Sequence, residues 1–162
     1  MIVISDSTAL IGLAAIGALD WLKQLYGTVI IPEAVYQEVV INGAGKPGAQ
    51  AVAASGWIQC QAVKNKTAVS HLMNIVGLDE GESEAIVLAA EIKADLILLD
   101  DAKARRYAQQ QQIAITGMVG IVIAAKQKGF IHLARPQLDA LIIAGVFIDS
   151  SLYQLALQLA GE

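Results

Sequence analysis

Carboxylate side chains recur at four places in the sequence where they could act together. They are Asp6 after VIS, Glu38 within PEAVYQEVV, Glu82 and Glu84 within DEGESEAIVLAA, and Asp100 and Asp101 after LILL. Converging carboxylates repel one another, and a hard divalent cation such as Mg²⁺ or Mn²⁺, which prefers oxygen ligands, relieves that repulsion. Such a cation activates water and neutralises charge during displacement at a phosphodiester. The set therefore predicts metal-dependent hydrolysis of phosphodiester bonds.

Several of these acids also have a purely structural interpretation. Asp6 and Asp101 each precede a helical pattern, so either could be an N-cap. Asp79 and Glu82 have the spacing of a capping box. Acids in a first helical turn also favour the helix dipole, by about 0.3–1 kcal/mol each. This accounts for one or two acids of DEGESEA but poorly for all of them, because their mutual repulsion offsets the gain.

Glu38 is the acid that capping explains least well. On an α-helical wheel it lies at the edge of a stripe formed by Val35 and Val39, where an unpaired carboxylate is costly. The neighbouring sequence offers no obvious cation. A bound metal ion would supply the missing partner.

Short β-branched runs alternate with helical patterns along the whole chain. Predicted strands are Ile2 to Ser5, Thr28 to Pro32, the run WIQCQAV, Asp95 to Leu99, and Ile113 to Thr116. This alternation predicts one α/β domain over residues 1–162 with a mostly parallel sheet, and a helical C-terminal extension over residues 132–162. In such sheets ligands bind beyond the carboxyl ends of the strands, where Asp6 and the Asp100–Asp101 pair are expected.

Composition sets the class of protein. The chain has 162 residues, of which 56% are hydrophobic, and a net charge of −4. The acidic balance argues against binding nucleic acid mainly by charge, and the apolar excess favours a subunit or partner interface. No apolar run reaches the roughly 20 residues of a membrane span, and no secretory signal is evident. The lone Cys60 is expected in the core, and a cytoplasmic location fits.

The order of these motifs resembles a PIN domain of the VapC-type toxin group. The matching segments are SDSTAL, PEAVYQEV, GLDEGESEAIVLA, LILLDDAKARRYA and TGMVGIVIAAKQKGFI. They combine a GE-x-EA helix with a DD-x-x-x-R turn, and the likeness extends from Met1 to about Ile131. It implies a three-layer α/β/α fold and a metal-dependent nuclease.

The resemblance also implies roles for individual residues. The implied catalytic residues are Asp6, Glu38, Glu82 and Asp101, and the implied Mg²⁺ or Mn²⁺ ligands are Asp6, Glu82, Glu84, Asp100 and Asp101. The spacing leaves open which acid of each neighbouring pair is the inner ligand, since residues two apart do not share a helix face. The implied substrate-binding residues are Thr8, Lys103, Arg105 and Arg106, although a solvated helix face accounts for the basic ones equally well.

The resulting hypothesis is an endoribonuclease that acts as the toxin of a type II toxin–antitoxin pair. Its expected partners are RNA, a small antitoxin protein and a second copy of the chain. The alternative is a PIN-like module that binds nucleic acid or protein with weak or no catalysis. A phosphotransfer receiver, which also gathers aspartates beyond a parallel sheet, is disfavoured because the acids come in the wrong order.

Overall fold

Five short strands form one parallel sheet at the centre of the protein. The computed structural model describes residues 1–162, and the strands are β1 (Val3–Ser5), β2 (Val29–Pro32), β3 (Ile58–Gln61), β4 (Leu96–Leu98) and β5 (Ile115–Thr116). Their order is β3-β2-β1-β4-β5, and every neighbouring pair is parallel. The predicted mostly parallel sheet is confirmed, and it is wholly parallel.

Helices cover both faces of this sheet. The α-helices are α1 (Ser7–Ala15), α2 (Asp20–Tyr26), α3 (Glu33–Tyr36), α4 (Ala49–Ala54), α5 (Lys66–His71), α6 (Glu80–Ile92), α7 (Ala102–Gln110), α8 (Met118–Gln127), α9 (Arg135–Ile143) and α10 (Ser150–Leu159). Two π-helical segments, Gln37–Ile41 and Leu72–Val76, continue α3 and α5. The predicted three-layer α/β/α architecture is confirmed.

Successive strand residues feed two separate cores, because side chains alternate between the faces of a strand. In β1, Val3 belongs to a core of 21 buried residues, and Ile4 belongs to a core of 14 on the opposite face. The larger core receives residues of α1, α2, α8, α9 and α10, whereas the smaller receives residues of α6 and α7. Two apolar faces explain why the strands read as continuous hydrophobic runs.

Helices α9 and α10 pack into the larger core. Leu138 and Leu141 of α9 and Ala156 and Leu157 of α10 are buried members of that core. At the end of the chain the Glu162 carboxylate accepts hydrogen bonds from the backbone amides of Ala134 (2.6 Å) and Arg135 (3.3 Å). It also pairs with Lys126 at 2.9 Å. These bonds hold the end of the chain against the start of α9.

Replacement of Glu162 by Gln is expected to lower the unfolding temperature. It should not affect the acidic residues that follow β1 and β4. The amide of Ala134 and the Lys126 ammonium lower the pKa of this carboxylate. A lowered native pKa stabilises the folded state above the ordinary carboxylate pKa, and this stabilisation is lost as the pH falls. The difference in unfolding temperature between wild type and Glu162→Gln should therefore shrink on acidification. A constant difference across the acidic range would contradict this assignment.

Strand β3 forms one edge of the sheet, and it corrects one prediction. The sequence predicts a core position for Cys60, but this residue is exposed, as are its neighbours Gln59 and Gln61. The apolar run there is short, and an edge strand lacks the second neighbouring strand that helps to bury a central one.

No single helix has the length and hydropathy of a membrane span. Only α1 and α2 taken together would reach them, and these two helices meet at a bend of 117°.

Candidate functional site

Asp6 is the buried centre of the acidic group. It directly follows β1 and caps α1, since its Oδ1 accepts a hydrogen bond from the Ala9 amide at 3.0 Å. Its Oδ2 accepts a longer bond, of 3.4 Å, from the amide of Asp100 beyond the neighbouring strand β4. Only 2% of the residue is exposed. Asp6 is thus the N-cap of α1, and this structural role does not exclude a role as a metal ligand.

Asp6 lacks a positive counter-charge. Burial raises the pKa of its carboxyl to about 8, with further increases from the negative charges of Asp100 and Glu82. The ion pairs of the structure lie elsewhere, at Glu84 and Glu162. A buried carboxylate is costly without compensation, so this position favours either a bound proton or a cation.

Asp100 is held between β4 and the turn after β5. Its two carboxylate oxygens accept the amide of Met118, the first residue of α8, at 3.1 and 3.3 Å. Burial raises its pKa, whereas the Met118 amide and the charge of Arg105 oppose that rise. The Arg105 guanidinium is itself fixed by donating to the Leu99 carbonyl at 2.8 Å. The position of Asp100 thus depends on α7, α8 and β5.

Gly117 provides the space in which Asp100 and Arg105 approach the turn after β5. A Cβ on Gly117 would lie 2.7 Å from Asp100 Oδ1 and 2.9 Å from an Arg105 guanidinium nitrogen. Contacts this short force the two side chains to move. Sequence reasoning recognised the Thr-Gly turn as a motif but did not identify this glycine as a residue that shapes the site.

Replacement of Gly117 by Ala is expected to displace Asp100 and Arg105. It should lower the phosphodiester hydrolysis that the sequence predicts by about 10-fold or more, because misplacement of about 1 Å can cost 100-fold. Cleavage rate and unfolding temperature are the measurements. Gly56→Ala is the matched control, since a Cβ there meets nothing within 4 Å. Equal activity in the two variants would show that the Asp100–Arg105 arrangement is not needed.

Asp101 and Glu82 are also helix caps. Asp101 accepts the Ala104 amide at 2.9 Å at the start of α7. Asp79 and Glu82 form a complete capping box at the start of α6, with bonds of 2.7 and 3.2 Å. Burial raises the pKa of Glu82 to about 7, with additional contributions from the charges of Asp79, Asp101 and Glu38. These carboxylates are thus near enough to influence one another while each serves a helix end.

Glu38 lies in a different environment from the one expected. The α-helical wheel puts it at the edge of a buried stripe, but it is exposed, and its Oε2 accepts the Ser7 hydroxyl at 2.6 Å. The wheel was wrong because Gln37–Ile41 is π-helical, which changes the angle between successive side chains. Ser7 directly follows Asp6, so its hydrogen bond links Glu38 to the start of α1. The sequence did not predict this role for Ser7. The only advance signal for Ser7 was its position after the first aspartate.

Glu84 is separated from the other acids by the geometry of α6. It is 3% exposed, its Oε1 makes no hydrogen bond, and Lys66 lies 3.8 Å from that oxygen. It lines a separate cavity, the second cavity, together with Glu33, Glu38 and Lys66, and Glu82 does not line this cavity. Burial raises its pKa and Lys66 opposes this. Of the two glutamates of GESEA, Glu82 is the one that faces Asp101.

A cavity of about 890 Å³ brings the remaining predicted residues together. Glu82, Asp100 and Asp101 line it, and so do Thr8 and Arg105. Lys103 and Arg106 are exposed on α7 and do not line it. Asp6 lies buried behind its wall, bonded to the Asp100 amide. The structure therefore groups Thr8 and Arg105 with the acids, but not the other two basic residues.

The donor set fits a hard divalent cation in its chemistry. All candidate ligands are carboxylates, and Asp6 lacks a cationic partner although it is buried. However, no group of three or more His, Cys, Asp or Glu side chains is arranged to hold a metal ion as the side chains stand. Asp6, Glu82, Asp100 and Asp101 are each bonded to a backbone amide instead. An ionised carboxylate has acceptor sites beyond the one that its amide occupies, so joint binding requires these side chains to come closer together and not the loss of the caps.

Comparison with known proteins agrees with the fold. A family model described as DUF3368, a PIN domain, matches residues 2–162. No curated protein matches the chain in a sequence search. Because the family model covers almost the whole chain, the protein belongs to the PIN-domain family.

Proposed function

We propose that the protein is a metal-dependent endoribonuclease that hydrolyses RNA phosphodiester bonds. The PIN domain is a nuclease fold, and PIN nucleases typically use divalent metals. The observation that carries the proposal is Asp6, a buried carboxylate with acidic neighbours and no cation. Repulsion among neighbouring carboxylates lowers the stability of the folded state, and a bound divalent cation is the simplest way to compensate for it.

Each residue of the site has a proposed task. Asp6, Glu82, Asp100 and Asp101 would hold Mg²⁺ or Mn²⁺, which supplies water activation and charge neutralisation at the phosphate. Arg105 and Thr8 line the same cavity and would contact the phosphate next to the scissile bond. Attack by water at phosphorus, with departure of the 3′-oxygen, leaves a 5′-phosphate and a 3′-hydroxyl.

Two further glutamates, which line the second cavity, have proposed tasks. Glu38, fixed by the Ser7 hydroxyl, would complete the site or orient the attacking water. Glu84 faces the second cavity, so as a metal ligand it would require a change in its orientation. Lys103 and Arg106 would contribute only to more distant phosphates.

The proposed biological role is the toxin of a type II toxin–antitoxin pair in the cytoplasm. The motifs that resemble VapC-type toxins support it. Exposed apolar side chains on α10, Leu155 (49% exposed) and Leu159 (60%), would be covered by an antitoxin or by a second copy in a homodimer. The net charge of −4 suits a basic partner segment better than direct charge-driven RNA binding.

The deciding experiment is cleavage of a structured and an unstructured RNA by the purified protein with Mg²⁺, Mn²⁺ or EDTA. Metal-dependent cutting that EDTA abolishes is expected. A matching single-stranded DNA tests whether RNA is required. Absence of cutting under every condition, from folded protein, would overturn the proposal.

A specific observation favours a second candidate, a PIN-like binding module. The acids already satisfy backbone amides, and no three of them are arranged around a common point for a metal. Under this alternative the carboxylates only fix helix ends and the cavity binds nucleic acid or protein without hydrolysis. Calorimetric binding of RNA without cleavage would support it.

A further inference from the structure

The cavity that contains the acids has a second wall of different chemistry. Besides the carboxylates, it is lined by the connection between α9 and α10, residues 144–148, whose Phe147 is 88% exposed. Ile11 of α1 and Leu152 of α10 extend this apolar wall. One cavity thus offers an acidic side with Arg105 and an apolar aromatic side.

The backbone around Phe147 is anchored. The turn is made by Gly145 with a φ of +100°, a conformation that favours glycine. Val146 packs against α1 so closely that a Cβ on Gly12 would lie 3.5 Å from its side chain. The amide of Val146 also donates to the Leu141 carbonyl at 2.9 Å. The aromatic ring is therefore presented from a fixed turn, which suits a stacking platform better than a loose loop does.

We propose that Phe147 stacks on one base of a single-stranded nucleic acid whose backbone runs along the acidic wall of the cavity. The inference rests on the proposed nuclease function and assigns that site a substrate-binding residue. An exposed ring in a cavity lined by Arg105, and by carboxylates that would hold a divalent cation, matches a nucleotide, which has an apolar base face and an anionic backbone. A volume of about 890 Å³ exceeds what one nucleotide needs. Bases of a duplex are already stacked, so only an unpaired base offers its face to Phe147.

Ile143 provides a matched control for this residue. It is 87% exposed, close to the 88% of Phe147, and it ends the neighbouring helix α9. It does not line the cavity. Truncation of either side chain removes a similar amount of exposed apolar surface, but only Phe147 faces the proposed substrate path.

The test is binding of a fluorescein-labelled, unpaired 12-nucleotide RNA in Mg²⁺, measured by anisotropy with Asp6→Asn protein so that the RNA stays intact. When Phe147→Ala is combined with Asp6→Asn, the RNA affinity is expected to fall roughly 5- to 150-fold, the range for loss of one base stack. Phe147→Tyr combined with Asp6→Asn should retain the affinity, and Ile143→Ala combined with Asp6→Asn should leave it unchanged. The same RNA with abasic sites should bind equally to Asp6→Asn with and without Phe147→Ala.

The outcomes separate this inference from the nuclease proposal. Metal-dependent cleavage by the wild type, with the same RNA affinity for Asp6→Asn protein whether or not it also carries Phe147→Ala, would overturn stacking and leave the nuclease standing. Absence of cleavage by the wild type overturns the nuclease and the inference that rests on it. Size-exclusion chromatography of the same proteins tests whether Phe147 belongs to a protein interface instead. If Phe147→Ala changes the oligomeric state and leaves the RNA affinity unchanged, stacking is also overturned.

Discussion

Replacement of Asp6 by Asn is expected to reduce RNA cleavage by about 100- to 1000-fold or more, the range for removal of one preorganised charge-stabilising group. The amide keeps an oxygen that can accept the Ala9 amide, so α1 stays capped, because Asn is as good an N-cap as Asp. Only the negative charge at the centre of the acidic group is lost. Single-turnover cleavage of RNA in Mg²⁺ measures the effect.

Asp149→Asn is the matched control for this substitution. Asp149 caps α10 in the same way, by accepting the Leu152 amide at 2.7 Å, but it is exposed and does not line the cavity. Full cleavage by Asp6→Asn would sink the assignment of Asp6 as a metal ligand. Equal losses in both variants would mean that the loss of any capping charge lowers activity, and that the charge at the acidic site has no special role.

Asp6→Asn is also expected to become increasingly more stable than the wild type as the pH rises from about 4 to about 8. The native pKa of Asp6, about 8, lies above its ordinary value of 3.8. Between these values the folded protein holds a proton that the unfolded chain has released, so the free energy of unfolding falls as the pH rises. The slope is at most about 1.4 kcal/mol per pH unit for this one group, and Asn lacks it.

Urea unfolding of both proteins in EDTA, repeated across this pH range, measures that difference. Mn²⁺ added at pH 8 should then raise the stability of the wild type, because a cation that binds only the folded state replaces the proton and stabilises that state. The gain should be smaller for Asp6→Asn, in which Glu82, Asp100 and Asp101 still line the cavity. Parallel stability curves in EDTA would show that Asp6 carries no buried charge penalty.

The sheet and the caps were predictable because both depend on local pattern. Each of the five strands falls within a predicted β-branched run, and alternation with helices implied parallel pairing. Asp6 and Asp101 were left with two interpretations, cap or acidic site. The structure shows that these are compatible, since each caps a helix with a backbone bond and influences another acid.

The remaining features of the site depend on packing that one sequence does not reveal. The orientation of Glu38 depends on a π-helical segment, which periodicity of 3.6 residues cannot predict. Glu82, and not Glu84, lines the cavity with Asp100 and Asp101, and this depends on the way α6 packs against α3 and α5. Phe147 had no local signal, because it lines the same cavity as the acids only through docking of the α9–α10 connection on α1.

The central position of β1 has a consequence for the order of assembly during synthesis. Asp6 is bonded to Asp100, 94 positions later, and Asp100 is held by Met118. A chain that emerges from the ribosome N-terminus first can cap α1 early, but it cannot join Asp6 to its acidic neighbours until β4, β5 and the start of α8 have been made. The nascent chain therefore carries its first acid without a complete site until these later elements have emerged. Any hydrolytic activity begins only after they have folded together, when a partner that binds the finished fold can also first recognise it.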